Sequence, residues 1–477
     1  PCLWSVHIKL KSEEEIIDFY FDITLKYTMI CKLLATLSAI QCITSATVST
    51  AGTFSLDFTY KNGSFLTQLE LGSDHTPINL IFDTGSSDFW VPSSVFNGTD
   101  SSDTFHWNDT DTFQMAYGTG DVRPTGRWGY DNMYLQNKPL GSYSFAVADN
   151  TQYDYGIIGL GFPSLESTNN IHEANSSGYQ YNQFTEILVE QGIVGNRLFS
   201  IDLSRTRGNG TIIFGGMDKS RISQNADIYQ YPMVNAFFTR DGNRHLSIAI
   251  TLNSMSVVNT HDIVDVDNTA EANIVKGYFP ALLDTGTTYA MFPSAVFNQL
   301  VQKLNLQHNP TIGLFTTSCA SLQDQALQLS FQGVNYKFPV SSLFVKSQNG
   351  EECAFMVASS PLQLAIVLGT AFLEQLYIIV DMDAQKIGLA TPTTEMAFSD
   401  ITSLEGIDSF AAHPPMTQTY DVNHMMYTVA SLTTLATSVP TSASASASVS
   451  ISSGLAPSLL PSAPWTHSLV ALLLLLV

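Results

Sequence analysis

Two stretches of the chain present the same chemically capable residues in the same order. Residues 81–96 read IFDTGSSDFWVPSSVF, and residues 282–297 read LLDTGTTYAMFPSAVF. Aligned without a gap, they agree at Asp, Thr, Gly, Pro, Ser, Val and Phe. Asp83 and Asp284 are the carboxylates, Thr84 and Thr285 follow, then Gly85 and Gly286, then the hydroxyls of Ser86 and Thr287. An Asp in such a turn is ordinarily only turn chemistry. At average residue frequencies Asp-Thr-Gly should occur on the order of 0.1 times in such a chain, so two copies in matched contexts point to a built site. Two carboxylates that face each other cannot both ionise, and they share a single proton. A shared proton provides an acid and a base together, which is what activation of water against an amide requires.

Such a pair must be delivered by rigid elements. Each Asp follows an apolar run, INLIF or YFPALL, that reads as a strand, and the Gly lets the backbone turn sharply. Short apolar or alternating runs such as LTQLELG, NRLFSIDLS, GTIIFGG, HLSIAITLNSMSVV and LYIIVDMDAQKIGLA recur between Gly, Asn and Asp turns. Helical periodicity is confined to YNQFTEILVEQGIV and PSAVFNQLVQKLN. The expectation is a mainly-β protein whose body of about 340 residues is too long for one core. The repeated loop divides it into two similar lobes, 53–235 and 236–392, with the site in the cleft between them.

The chain has 477 residues, 44% hydrophobic but only 13% charged, with a net charge of −22. That charge argues against a nucleic-acid partner and fits a secreted protein working at acidic pH. The histidines, His106 among them, show no ligand spacing, so neither a metal nor another cofactor is expected. Residues 1–28 fit nothing downstream. Residues 29–46, with Met29 as the expected start and cleavage after Ala46, read as a signal peptide. Residues 393–432 read as a linker and 433–467 as a Ser/Thr-rich stalk. The tail 468–477 reads as a GPI signal with attachment at Ser452 or Ser453. Glycosylation sequons stand at Asn62, Asn97, Asn108, Asn175 and Asn209. Cys31 and Cys42 leave with the signal peptide and Cys2 lies in the leader. Cys319 and Cys353 remain as a pair, expected to form a disulfide in an oxidising compartment.

On these motifs the chain resembles the pepsin-like aspartic proteases over roughly residues 53–392, and its layout is similar to that of the GPI-anchored fungal yapsins. The resemblance implies a bilobal β fold in which Asp83 and Asp284 are the catalytic dyad. The sharing of one proton between two aspartates is that family's standing description. It further implies that Ser86 and Thr287 bond the outer carboxylate oxygens and that Thr84 and Thr285 tie the loops together. MAYGTGDVRPTG, 115–126, is similar to the family's flap, with Tyr117 as its tyrosine, Gly118, Thr119 and Gly120 at its turn, Asp121 after it, and Trp90 as the partner of Tyr117. YGIIGLGFP and AIVLGTAFLEQLYIIVD match the segments that thread the lobes, centred on Gly159 and Gly369, and Cys319–Cys353 matches a second-lobe disulfide.

Two departures stand out. The short cysteine loop after the first Asp is replaced by NGTDSSDTFHWNDTDTF, with Asp100, Asp103, Asp109 and Asp111, and no basic prosegment stands between Ala46 and the first strand. The expected function is a monomeric, secreted or surface-anchored endopeptidase acting on peptide or protein substrates, held by a lipid anchor and attached to wall glucan. Asp121 and the acidic insertion favour Lys or Arg near the scissile bond. The alternatives are a catalytically silent surface-binding homologue and a structural wall glycoprotein.

Overall fold

The alternation in SFLTQLEL gives the strand Ser64–Leu71, whose Phe65, Thr67, Leu69 and Leu71 are buried while Gln68 is exposed. Its period of two is what a half-buried sheet requires. The same logic repeats along the chain. The computed structural model describes residues 52–61, 63–115, 124–151, 153–168, 180–204, 208–236, 246–259, 273–360, 365–393, 399–421 and 427–429, with the backbone alone at 109–111, 360 and 427–429. The expected leader, signal peptide, stalk, lipid-attachment site and tail, the sequons Asn62 and Asn175, and Tyr117, Gly118, Thr119, Gly120 and Asp121 lie outside the described residues.

Among the described residues the strands form one 13-stranded sheet, an 8-stranded sheet, a 4-stranded sheet and a 2-stranded ribbon. The first lobe lies at one end of the largest sheet, in the order Ser64–Leu71, Thr76–Asp83, Gly156–Gly159, Phe89–Pro92, Lys138–Ala148, Thr125–Leu135, His106–Gln114. Its hairpin from Leu135 to Lys138 turns through Gln136 and Asn137, both in the left-handed region (φ 48° and 64°), the conformation that matches the natural strand twist. The second lobe is built on Ala249–Asn259, Asn273–Leu283 and Gln325–Phe331. The two helical runs form Phe184–Glu190, with a capping box between Gln183 and Glu186, and Ser294–Lys303.

The lobes are joined differently from the sequence-based boundaries. Tyr377–Asp381 and Lys386–Ala390, expected in the second lobe, hydrogen-bond into the largest sheet: Ile379 pairs with Ser200 of Leu198–Ser204. Tyr229–Pro232, expected in the first lobe, pairs with Lys386–Ala390. A six-strand platform thus runs Tyr229–Pro232, Lys386–Ala390, Tyr377–Asp381, Leu198–Ser204, Asn209–Phe214, Phe54–Lys61, drawing strands from both halves because an unpaired strand edge is filled by the nearest compatible partner.

The expected linker 393–432 also differs. Ile401–Ser403 pairs with Gly216–Asp218, and Tyr427–Val429 pairs with Asn273–Leu283. Between them Ile407 and Tyr420 are buried. Residues 399–421 therefore form a strap across the platform and onto the second lobe. Asp218 accepts hydrogen bonds from Ser399 Oγ and the Asp400 amide at 2.8 Å each, Asp381 from the Ile407 amide at 2.9 Å, and Gln332 O from the Met416 amide at 2.9 Å. Cys319 and Cys353 are bonded as a disulfide, with Cα atoms 5.0 Å apart, stapling the smaller sheet of the second lobe.

Candidate active site

Asp83 is the last residue of the strand Thr76–Asp83, and Asp284 directly follows Asn273–Leu283. The residues before them anchor the strand ends. Phe82 is buried with its ring 5.0 Å from Phe184, 5.8 Å from Phe214 and 6.2 Å from Phe58, and Leu283 is buried in the same core. Each strand end is then held by a parallel neighbour. The Leu160 amide donates to Asp83 O at 2.8 Å, and the Asp284 amide donates to Leu368 O at 3.0 Å. The Gly159 amide donates to Asp88 O at 3.0 Å and the Gly369 amide to Tyr289 O at 2.9 Å, so the two threading segments grip corresponding positions of the twin loops.

The loops cross through their threonines. Thr84 N donates to Thr285 Oγ1 and Thr285 N to Thr84 Oγ1, both at 3.0 Å. Thr84 Oγ1 donates to Leu283 O at 2.6 Å and Thr285 Oγ1 to Phe82 O at 2.5 Å. Each hydroxyl thus accepts an amide from the opposite loop and returns a bond to its backbone. The crossing brings the carboxyls together. A Cβ on Gly85 would lie 2.5 Å from Asp284 Cγ, and one on Gly286 would lie 2.5 Å from Asp83 Oδ1, so neither position admits a side chain.

Each carboxylate is also bonded within its own loop. Asp83 accepts from the Gly85 amide at 2.8 Å and from Ser86 Oγ at 2.5 Å. Asp284 accepts from the Gly286 amide at 2.8 Å, the Thr287 amide at 3.2 Å and Thr287 Oγ1 at 2.7 Å. Asp83 is buried and Asp284 is partly exposed. Loss of water around Asp284, then the charge of Asp83, then the side-chain hydrogen bond joining the two carboxyls, push the Asp284 carboxyl well above its ordinary range, against the pull of Thr287 and the Gly286 amide. Chemically this is a pair of carboxyl groups hydrogen-bonded to each other across a near-symmetric crossing. Next to it, Thr288 Oγ1 donates to Gly63 O at 2.9 Å, tying the second loop to a first-lobe hairpin.

Of the other expected site residues, Trp90 is fully buried in a small cluster with Ile81, Phe113, Trp128, Ala146, Ala148 and Ile157. Asn97 and Asn209 are exposed and Asn108 is half-buried. In the acidic insertion Asp100 and Asp103 are exposed, and Asp100 accepts from Asn97 Nδ2 at 2.9 Å. No group of three or more His, Cys, Asp or Glu able to hold a metal occurs among the described residues.

Sequence reasoning passed over Asp88, Glu166 and Tyr181. Asp88 closes DTGSSD, and both it and Glu166 are fully buried. The signal available was the alignment itself, since the second loop carries Tyr289 where the first carries Asp88.

Comparison with known proteins agrees with this geometry. The family described as eukaryotic aspartyl protease matches residues 64–392. The aspartic proteinase yapsin-3 of Saccharomyces cerevisiae is 27% identical, over 68% of this chain and 65% of its own length. Secreted aspartic protease 9 of Candida albicans is also 27% identical, over 65% of this chain and 53% of its own. The chain therefore covers less than two thirds of either relative. The crystal structure of the aspartic proteinase from Irpex lacteus shares the fold with a TM-score of 0.57 at 19% identity, over 72% of this chain and 100% of that one. The protein belongs to the eukaryotic aspartyl protease family, with the bilobal β architecture of its pepsin-like members.

Proposed function

We propose that the protein is an aspartic-type endopeptidase that cleaves peptide bonds at acidic pH. The observation that carries the reading is the carboxyl pair: the crossing of the twin loops brings Asp83 and Asp284 together, and burial and the charge of Asp83 push the Asp284 carboxyl well above its ordinary range. Asp83, as the anion, takes a proton from water as its oxygen bonds to the scissile carbonyl carbon. Asp284 donates its proton to the carbonyl oxygen. Collapse of the tetrahedral adduct returns that proton to Asp284, and the proton on Asp83 goes to the leaving nitrogen, so one water and one amide become an acid and an amine. Incubation with a denatured protein at about pH 3–6 tests this. Cleavage that pepstatin abolishes is expected; no cleavage, or cleavage indifferent to pepstatin, contradicts it.

Two finer readings belong to the same proposal. Asp121, Asp100, Asp103, Asp109 and Asp111 favour Lys or Arg near the scissile bond through their summed field. Asp121→Asn is expected to lower that preference in a peptide-library profile, and a profile with no basic preference at any subsite contradicts it. The Ser/Thr-rich 433–467 and the apolar 468–477 support display at the cell surface through a lipid anchor, consistent with a relative named as secreted. Among the described residues no helix is long and apolar enough to cross a membrane. Deleting 468–477 is expected to release the protein to the medium; retention on membranes after that deletion contradicts anchoring.

A further inference from the structure

The strands that end at the two catalytic loops are packed on both faces, and the two lobes cover the second face differently. In the first lobe Phe82 and Ile158 belong to the main core, while Ile81 and Ile157, paired with each other, belong to the opposite cluster with Trp90, Phe113 and Trp128. In the second lobe Leu283 and Leu368 belong to the main core, and Leu282 and Val367, likewise paired, belong to a separate cluster. The rest of that cluster is small, Val234, Ala236, Ala249 and Ala365, with one exception. Tyr420 of the strap is the only aromatic among its buried members. The twin-loop alignment shows why one is needed. Met291 stands where the first loop has Trp90, and residues 236–392 contain no tryptophan at all. The strap is fastened to the strand of Asp284 on both sides of Tyr420. Before it, the Tyr278 hydroxyl donates to Gln418 Oε1; after it, Tyr427–Val429 pairs with 275–277. The Tyr420 amide itself donates to Thr251 Oγ1 at 2.8 Å, on the adjacent strand Ala249–Asn259.

We infer that Tyr420 is a positioning residue for Asp284: its ring backs the cluster of Leu282 and Val367 and so fixes the level at which the second catalytic loop meets the first. The segment that supplies it lies beyond residue 392, where the match to the family ends. The strap therefore carries part of the catalytic geometry of this chain. Size singles out Tyr420 among its neighbours. Removing an aromatic ring from among Val and Ala residues leaves a void that such short side chains cannot fill. Tyr420 also lines a cavity of about 300 Å³ with Met233, Val234 and Leu246, which adjoins that void and does not close it. A displaced Leu282 acts on the site at short range. Asp284 is two residues on, its amide donates to Leu368 O beside Val367, and Thr285 is bonded to Thr84 across the crossing. A misplacement of about 1 Å costs about a hundredfold in rate. The first loop, with its own aromatic cover, keeps its place.

The inference rests on the reading of Asp83 and Asp284 as the reacting pair, and one arm of its test needs no cleavage. Tyr420→Ala, Tyr420→Leu and Tyr420→Phe are made in the full chain and assayed at acidic pH, well below each variant's unfolding temperature. In Tyr420→Ala kcat is expected to fall about tenfold or more while KM changes less than about threefold. Tyr420→Leu should fall in the same sense by less, and it replaces the alanine variant if that one does not fold. Tyr420→Phe keeps the ring and should stay within about threefold of the wild type. A residue that only stabilised the fold would lower the folded fraction and leave kcat of the folded enzyme unchanged. In the second arm hydrogen exchange is followed at the amides of Leu283, Asp284 and Thr285, all of them bonded in the wild type. These should exchange about tenfold faster or more in the truncated variant, while the strand Ser64–Leu71 is unaffected. A wild-type enzyme that cleaves nothing would count against the endopeptidase reading alone, and the exchange arm would then decide. Unchanged kcat in the folded truncated variant overturns the inference. So does exchange at 283–285 that stays slow or quickens no more than in Ser64–Leu71, and so does a Tyr420→Phe as impaired as the truncated variant.

Discussion

The side chains that make this site are short, and their roles follow from that. A Thr hydroxyl can accept an amide from one loop and donate to a carbonyl of the same opposing loop, which is what Thr84 and Thr285 do across the crossing. Removing Thr84 Oγ1 strands the Thr285 amide and the Leu283 carbonyl together, at about 1–3 kcal/mol for each unpaired group. Thr84→Ala is therefore expected to lower unfolding free energy in urea by about 2–6 kcal/mol, whereas Thr84→Ser should recover most of it; equal losses in the two would show that the methyl, and not the hydroxyl, matters. At this scale the sequence was legible where the two loops agree, because duplicated residues reveal shared duty. It was illegible at Asp88 and Glu166. A buried carboxyl reads in sequence like any acid in a turn, and only the fold shows that water has been removed from it.

At the level of elements, strands and helices followed from periodicity, including the capped helix Phe184–Glu190 and the helix Ser294–Lys303. Partner choice did not. Tyr377–Asp381 is buried throughout and apolar up to its closing Asp381, yet nothing local says that it pairs with Leu198–Ser204 across the lobe boundary. The strap 399–421 was hidden for a related reason. Its hold depends on backbone amides meeting Asp218, Asp381 and Thr251, and its apolar residues Ile401, Leu404, Ile407 and Phe410 recur every third position, which matches neither a strand's period of two nor a helix face that adds the fourth. Burying two side chains such as Ile407 and Tyr420 is worth about 3–6 kcal/mol together. A chain ending after Val429 is expected to unfold at the temperature of the full-length protein, and one ending after Pro392 to unfold markedly lower. Equal melting temperatures for the two truncations would mean that the strap adds nothing to the body.

Across the whole molecule, 42 acidic residues stand against 20 basic ones, and burial raises several carboxyls, Asp88, Glu166 and Asp284 among them. Thermal stability is accordingly expected to be highest near pH 4 and to decline steadily to pH 8, the sign set by a native state that holds protons more tightly than the unfolded chain; a melting temperature that rose over that range would contradict it. The bilobal plan was legible from the twin loops, and in the proposed mechanism it is this plan that makes the chemistry, since each lobe supplies one carboxyl and neither alone could share a proton. The most direct measurement is the turnover number at acidic pH of Asp83→Asn and Asp284→Asn, each first shown to be folded by its thermal transition. An amide keeps the size of the carboxyl but cannot share or pass its proton, so both variants should lose at least about a thousandfold in kcat. Near-wild-type turnover in either folded variant would contradict the dyad.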